Sequence, residues 1–169
     1  MSNKTYHIIT FGCQANISDS ERIAGILEMF NFKNTKNEED ASLLIYNTCS
    51  VRQTAEDRIF GLNKKLGALK NKNPELKIML TGCMTHYKDK ELKTRLPHID
   101  IFLPVKNKDE WFNEFKNFLK NNFWEDHIQN YKILNYDFNN SFIPKYESGF
   151  RALIPVSYGC DNFCSYCVV

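Results

Sequence analysis

The sequence predicts an α/β fold: an open, mainly parallel β-sheet with flanking helices, followed by the start of a second domain. Short apolar runs alternate with helical patterns from residue 6 to residue 123, and this alternation is typical of a parallel sheet. The run Leu43–Tyr46 is apolar on both faces, as expected of a strand covered by helices on both sides. There is no Gly-x-Gly-x-x-Gly sequence, so nothing supports a bound dinucleotide.

The first elements are predicted as strand, helix and strand. Residues 6–11 are apolar and rich in β-forming side chains. Ser18 and Glu21 have the spacing of a capping box, so we expect the first helix to begin at Ser18. A short strand is expected at 32–35, and the acidic residues 38–40 are interpreted as a solvated turn or helix. In the first helix, apolar residues at helical spacing predict one face packed on the sheet: Ile23, Ile26, Leu27 and Phe30.

The later elements continue the alternation. Buried strands are expected at 43–46, 78–80 and 99–103. One long helix is expected from about residue 51 to Asn73-Pro74, which ends it. A shorter helix is expected at 88–95. The aromatic stripe that begins at Trp111 is more typical of a core helix than of a cofactor site. We therefore predict an α/β domain over residues 1–123, a polar linker over 124–149, and a second domain that starts at 150–169.

Three cysteines share one position in the predicted fold, directly after an apolar strand: Cys13, Cys49 and Cys83. The carboxyl ends of parallel strands lie along one edge of the sheet, where ligands bind, so we expect these thiols to meet there and hold one metal centre. Gly12 and Gly82 are expected to allow tight turns and leave room for a bulky inorganic group. The alternative is three ordinary buried thiols. His86 is a possible fourth ligand, although a solvent-facing histidine is the simpler interpretation.

A second group of three cysteines lies near the end of the chain, with the spacing C-x3-C-x2-C: Cys160, Cys164 and Cys167. A structural zinc site needs four ligands, and ferredoxin sequences space their cysteines differently and add a fourth. Three thiolates instead suit an iron–sulfur cluster with one open iron. A zinc knuckle or three buried thiols remain alternatives. Six cysteines without an export signal indicate metal ligands in a reducing cytoplasm rather than disulfides.

Composition limits the remaining classes of function. Hydrophobic residues make up 43% of the 169 residues, enough for a core, and the net charge of +2 does not by itself indicate a polyanionic partner. No apolar run approaches the length of a membrane span, so we expect a cytoplasmic protein without a membrane partner.

The second group, with Tyr166 before its last cysteine, resembles the signature of the radical S-adenosylmethionine (SAM) superfamily. The two groups in this order resemble the methylthiotransferases of that superfamily, and the resemblance covers almost the whole chain. The sequences that carry it are Phe11-Gly-Cys-Gln-Ala-Asn16 with Asp19-Ser-Glu21, Asn47-Thr-Cys-Ser-Val-Arg52, Gly82-Cys-Met84 and Gly159-Cys-Asp-Asn-Phe-Cys-Ser-Tyr-Cys167. We interpret Gln14 and Asn16 as residues that stabilise the entry to a helix by hydrogen bonds, and we assign no catalytic residue.

The resemblance implies two 4Fe-4S clusters. Cys160, Cys164 and Cys167 would hold the cluster that binds SAM, with Tyr166 beside the SAM adenine, and Cys13, Cys49 and Cys83 would hold the one that supplies or carries sulfur. The residues around Cys49 are most similar to the branch acting on tRNA. That similarity implies a 2-methylthio group added to N6-isopentenyladenosine in the tRNA anticodon arm, with a reducing electron donor as a further partner.

Three alternatives stay open: the branch that modifies a ribosomal protein, the branch that modifies threonylcarbamoyladenosine, and a non-enzymatic iron–sulfur carrier. In the resembled family a (β/α) barrel and a small β domain follow the second group of cysteines. We therefore expect residues 150–169 to be the first strand and cluster loop of a truncated radical SAM barrel. On this expectation the chain is an amino-terminal fragment that is inactive alone.

Overall fold

The computed structural model describes residues 4–50, 53–87, 89–104, 108–124, 143–156 and 165. It contains one sheet of five strands, in the order β2-β1-β3-β4-β5, and every neighbouring pair is parallel. The strands are β1 (Thr5–Phe11), β2 (Lys33–Asn34), β3 (Leu43–Thr48), β4 (Lys77–Gly82) and β5 (Ile101–Leu103). The predicted α/β fold with a parallel sheet is confirmed.

Helices connect the strands along the chain. They are α1 (Gln14–Met29), α2 (Gln53–Gly61), α3 (Asn63–Lys72), α4 (Met84–Tyr87), α5 (Asp89–Arg95) and α6 (Lys108–Phe123). A single 3-10 turn covers Glu38–Asp40, in agreement with the predicted acidic turn. None of the helices in these described ranges is long and apolar enough to cross a membrane.

The strand order reverses between β1 and β3. From β1 the chain moves to one edge for β2 and then returns to the other side of β1 for β3. In open parallel sheets such a switch point leaves a crevice at the carboxyl ends of the two strands, and ligands bind there. Cys13 follows β1 and Cys49 follows β3, so both lie at this switch point.

Two cores lie on opposite faces of the sheet. Along β3, Leu43 and Ile45 face a core shared with α1 and α6, whereas Leu44 and Tyr46 face a core shared with α2, α3 and α5. All six residues of β3 are buried, which explains why the run Leu43–Tyr46 is apolar on both faces. Each fully buried side chain of this kind stabilises the fold by about 1.5–3 kcal/mol.

Helix α1 begins one turn earlier than predicted, at Gln14 rather than Ser18. The side-chain oxygen of Asn16 accepts a hydrogen bond from the N–H of Cys13 at 3.1 Å, and this bond satisfies one of the donors that a helix start leaves free. Ser18 therefore lies inside the helix, and its hydroxyl donates instead to the carbonyl oxygen of Leu153 at 3.0 Å. The capping box predicted at Ser18 and Glu21 was wrong.

The predicted long helix is two helices, α2 and α3, which meet at Leu62. The N–H of Leu62 donates to the carbonyl oxygen of Ile59 at 3.1 Å, a three-residue bond that tightens the last turn of α2. Gly61 precedes this point, and glycine is the weakest helix former after proline. The break therefore follows from local sequence.

The described residues of the carboxyl-terminal region, 143–156, contain no regular secondary structure. Ile143 to Leu153 lie beside α1, held by hydrogen bonds described below. The division into a domain at 1–123, a linker at 124–149 and a second domain from residue 150 stays a prediction. The barrel strand expected within 150–169 also stays a prediction.

Candidate metal centre at the carboxyl edge of the sheet

The three strand-end cysteines lie on neighbouring positions along one edge of the sheet. The register pairs Phe11 with Thr48 and Thr48 with Gly82, so β1, β3 and β4 end level with one another. The N–H of Cys49 donates to the carbonyl oxygen of Phe11 at 3.0 Å, which extends the pairing by one residue. Neighbouring strands are about 4.8 Å apart, so residues that follow these ends are brought close together.

The acidic groups at this edge lie close enough to influence one another. Burial raises the pKa of the Cys83 thiol, and the negative charges that Cys49, Cys13 and Asp19 carry when ionised raise it further. Cys49 is 3% exposed, Cys13 and Cys83 are half-buried, and all three are free thiols. The structure thus brings together the three cysteines of the first predicted group, and Asp19 lies close enough to act on Cys83.

Cys13, Cys49 and Cys83 share one edge of the sheet, the position at which the sequence predicts a metal centre. Among the residues that the structure describes, no group of three or more histidine, cysteine, aspartate or glutamate side chains is placed to hold one metal ion. Three thiols are soft sulfur ligands of the kind that iron–sulfur clusters use. Their role as ligands stays a prediction.

A buried pair of asparagines joins the strand ends to α1. Asn16 Nδ2 donates to Asn47 Oδ1 at 3.0 Å and to the carbonyl oxygen of Thr48 at 3.3 Å. Asn47 Nδ2 donates to the carbonyl oxygen of Asn16 at 2.8 Å and to Ser20 Oγ at 3.0 Å. Because Asn16 also binds the N–H of Cys13, the pair fixes the backbone at Cys13 against the end of β3. The predicted role of Asn16 at the helix entry is confirmed, whereas Gln14 is exposed.

Gly12 and Gly82 allow other parts of the protein to pack closely against the backbone. A Cβ on Gly12 would overlap with the side chain of Asn16, with the Asn16 Cβ only 2.7 Å away. Gly82 has a φ of 97°, and a Cβ there would come within 2.6 Å of Asn47 Oδ1. The prediction of tight turns is confirmed at Gly82. The space beside the two glycines, which was expected to admit an inorganic group, is instead filled by the protein: by Asn16 next to Gly12, and by the end of β3 next to Gly82. These side chains and strand ends approach the glycine backbone because they hold the neighbouring cysteines in place.

A second polar network holds the strand end that carries Cys83. Thr85 Oγ1 is 2.8 Å from the carbonyl oxygen of Gly82 and 3.1 Å from that of Leu103. Thr81 Oγ1 donates to the carbonyl oxygen of Leu103 at 2.9 Å and accepts from Trp111 Nε1 at 3.0 Å. Trp111 therefore has a hydrogen-bonding role in addition to its predicted core role.

Sequence reasoning missed Asn47, Thr81, Thr85 and the indole N–H of Trp111. The signal that could have found the first two is a polar residue inside an otherwise apolar buried strand, because a buried polar side chain needs a hydrogen-bond partner.

The second predicted group lies outside the described residues: Cys160, Cys164, Cys167 and Tyr166. The side chain of His86 is likewise not described, so its possible role as a fourth ligand stays open. The structure accordingly places the three cysteines of the first group at one edge of the sheet, and both metal sites stay predictions.

Comparison with known proteins gives one family and a consistent set of relatives. Residues 5–104 match the family described as "Uncharacterized protein family UPF0004". A protein of Carboxydothermus hydrogenoformans is 40% identical over 100% of this chain, and one of Dictyoglomus thermophilum is 38% identical over 97%. A protein of Clostridium perfringens is 37% identical over the full chain. All three are named tRNA-2-methylthio-N(6)-dimethylallyladenosine synthase, and this chain spans only 37–38% of their length.

Proposed function

The chain belongs to the UPF0004 family, and we propose on that basis that it forms the amino-terminal part of a radical SAM methylthiotransferase that acts on tRNA. The match covers residues 5–104, which include β1 to β5 and the three strand-end cysteines. The substrate class follows from the relatives, whose name describes a 2-methylthio group on N6-dimethylallyladenosine in tRNA. The activity is proposed for a protein of the relatives' length.

The observation that carries the proposal is the meeting of Cys13, Cys49 and Cys83 at the carboxyl edge of the sheet. These three cysteines would hold one 4Fe-4S cluster, and Cys160, Cys164 and Cys167 would hold a second cluster together with SAM. Tyr166 would lie beside the SAM adenine. The C–H bond at position 2 of adenine resists acid–base activation, and the clusters with SAM supply the radical and sulfur chemistry that the reaction needs.

The residues of this chain prepare the first site in three ways. Asn16 and Asn47 fix the backbone at Cys13 against the end of β3. Cys49 is buried under its neighbours, which keeps water from one side of the site. Burial, and then the negative charges that Cys49 and Cys13 carry when ionised, raise the pKa of Cys83, and a positively charged iron centre would offset both effects by stabilising the thiolate.

The same proposal includes the partners. The substrate is the anticodon arm of tRNA, bound by a protein of full length, and a separate reductant donates electrons. A tRNA-modifying enzyme of this kind acts in the cytoplasm.

The test is the nucleoside that the enzyme makes in cells. The complete gene is expressed in a bacterial strain whose own methylthiotransferase for tRNA is deleted, and digested tRNA is analysed by mass spectrometry. We expect 2-methylthio-N6-isopentenyladenosine to reappear. Unmodified N6-isopentenyladenosine together with a methylthiolated ribosomal protein would assign the enzyme to the other branch. Unchanged tRNA and ribosomal proteins would contradict the proposal.

A further inference from the structure

Helix α1 carries a second, mainly polar face beside its apolar stripe. It is made of four residues at helical spacing, which we call the docking stripe: Ser18, Glu21, Gly25 and Glu28. Residues three or four apart lie on one side of a helix, so these four form a continuous line. The apolar stripe of the same helix, which includes Ile23 and Leu27, packs into the core under the sheet.

Residues 143–153 lie along this line and bind to it mainly through their backbone. The N–H of Lys145 donates to the carbonyl oxygen of Glu21 at 2.8 Å. The N–H of Glu147 donates to Glu21 Oε1 at 3.2 Å. At the two ends, Lys145 Nζ pairs with Glu28 Oε2 at 3.1 Å, and Ser18 Oγ donates to the carbonyl oxygen of Leu153.

Gly25 lets the segment approach closely. A Cβ on Gly25 would overlap with the carbonyl oxygen of Ile143 and lie 3.2 Å from its carbonyl carbon. Glycine in the middle of a helix costs stability relative to alanine, so its presence here is explained by the backbone that crosses it. No side chain of residue 143 is needed for this contact, and Ile143 itself is 84% exposed.

Glu21 is the central contact of the stripe. Its side chain is buried, with 6% of its surface exposed, and one oxygen, Oε2, has no hydrogen-bond partner among the described residues. A carboxylate buried with few partners is costly, and the segment at 143–147 is what covers it and binds its other oxygen. The docked segment therefore contributes to the burial of Glu21 and binds one of its oxygens.

We propose that the docking stripe is a positioning site that fixes the chain leading to the second cysteine group relative to the first. Helix α1 begins directly after Cys13, and Ser18 lies five residues on, about 7.5 Å along the helix axis. Leu153, which Ser18 binds, precedes Cys160 by seven residues, and seven extended residues reach at most about 25 Å. One helix thus holds both the first cysteine of one group and the tether of the other. The meaning of this coupling for sulfur transfer rests on the proposed function, but the docking itself does not.

The first test measures hydrogen exchange on the whole 169-residue chain without metal. Gly25→Ala inserts a methyl group under Ile143 while alanine favours the helix, so α1 is kept and the segment is displaced. We expect the amides of Lys145 and Glu147 to exchange at least about tenfold faster, because an undocked segment exchanges as open chain. The protection of β4 should not change. The matched control is Gly61→Ala, where a Cβ meets nothing within 4 Å, and it should leave both regions unchanged.

Further variants at two positions guard against a general folding defect. Ser18→Ala removes only the bond to Leu153, whose carbonyl oxygen is the acceptor, and we expect little change in exchange at residues 145 and 147. Glu21→Leu removes the acceptor for Glu147, whereas Glu21→Gln keeps an oxygen there and should restore most of the protection. Unchanged exchange at Lys145 and Glu147 in both Gly25→Ala and Glu21→Leu would overturn the docking.

The second test asks whether docking positions the two cysteine groups. The reduced, metal-free chain is treated with a short bifunctional thiol reagent, and the cross-linked peptides are quantified by mass spectrometry. We expect links between Cys13 and the group at 160–167 in the unmodified chain, and a several-fold lower yield in Gly25→Ala. Links between Cys49 and Cys83 should persist in both. An equal yield in the two chains, or none between the groups in the unmodified chain, would overturn the positioning role. Neither result depends on whether the cysteines bind iron.

Discussion

Asn16 and Asn47 bind each other in both directions. The side-chain nitrogen of Asn16 donates to the side-chain oxygen of Asn47 at 3.0 Å, and the side-chain nitrogen of Asn47 donates to the main-chain oxygen of Asn16 at 2.8 Å. The pair joins the first turn of α1, which follows Cys13, to the end of β3, which precedes Cys49. Two of the three predicted ligands therefore depend on one amide pair.

Replacing Asn47 with Leu should destabilise the protein by about 2–4 kcal/mol. The variant leaves Ser20 Oγ and the buried groups of Asn16 with fewer partners, and each unsatisfied buried group costs about 1–3 kcal/mol. The free energy of unfolding is measured by urea denaturation. Asn113→Leu on the exposed side of α6 is the control and should change it by less than about 0.5 kcal/mol. An equally small loss for Asn47→Leu would show that the pair contributes little.

The two cysteine groups should hold iron independently. In the 169-residue chain reconstituted without oxygen, Cys13→Ala, Cys49→Ala or Cys83→Ala should remove about half of the bound iron, because a cluster rarely survives the loss of a thiolate ligand. Changing Cys160, Cys164 or Cys167 should remove the other half. Iron and sulfide analysis with electron paramagnetic resonance gives the measurement. Loss of all iron in every variant would show that the groups form a single site.

In a protein of the relatives' length the same variants should separate two activities. Substitutions at Cys160, Cys164 or Cys167 should abolish the cleavage of SAM to 5′-deoxyadenosine, because no cluster remains to pass the electron. Substitutions at Cys13, Cys49 or Cys83 should retain much of the cleavage and stop thiolation. Chromatography of the SAM products and mass spectrometry of the tRNA nucleosides measure the two activities. If the variants of both cysteine groups cleave SAM equally, the two groups do not have separate roles.

Gly82→Ala should be destabilising by about 1–3 kcal/mol. Its φ of 97° is unfavourable for any residue with a Cβ, and the new methyl group would press on Asn47 and Thr48. Because Cys83 follows directly, the variant should also lower the yield of the first cluster. Thermal unfolding and iron content are measured side by side with Gly61→Ala. Normal stability of Gly82→Ala would mean that the turn relaxes without cost.

Trp111 and Thr81 should be energetically coupled. The indole N–H donates to Thr81 Oγ1 in the buried network that holds β4, β5 and α4 together. A double-mutant cycle with Trp111→Phe and Thr81→Val should give an interaction energy of about 0.5–1.5 kcal/mol in unfolding experiments. Additive effects of the two substitutions would show that the bond contributes nothing beyond packing.

Alkaline pH should destabilise the protein through Tyr46 and Tyr6. Burial, and then the negative charges of Glu38 and Glu28, raise the pKa of these two phenols in the folded state. The unfolded chain loses the same protons at a pKa of about 10, so above pH 10 it binds fewer protons than the folded chain and stability falls as pH rises. Ultraviolet titration should show both phenols ionising only with unfolding. Tyr46→Phe should reduce the slope of stability against pH above 10, and an unchanged slope would contradict the assignment.

The alternation of apolar and helical patterns was enough to predict the sheet and the common position of Cys13, Cys49 and Cys83. The strands themselves follow from local sequence, because buried parallel strands such as β3 contain a run that is apolar on both faces. The start of α1 was predicted one turn too late, because the amide of Asn16, which accepts from the N–H of Cys13, is held by the end of β3. Such a bond between distant residues leaves no pattern in a local window of sequence.

The docked segment also escaped prediction. Residues 143–149 are polar and irregular, as in a linker, and their contacts with Glu21 use backbone N–H groups that every residue except proline possesses. The corresponding signal on α1 was Gly25, a glycine inside a helical pattern. A helical glycine often marks the close approach of another backbone, and here that backbone lies more than one hundred residues away.

The two outer strands of the sheet reduce the risk of aggregation by strand pairing between molecules. β2 has two residues, one of them a lysine, and β5 has three. An edge strand aggregates by offering a long row of free backbone donors and acceptors to another chain, and short or charged edges offer too few. Although β1, β3 and β4 are longer and contain apolar runs, each is paired on both sides. A newly made chain is thus exposed to edge-to-edge aggregation mainly in the interval before β2 and β5 have paired.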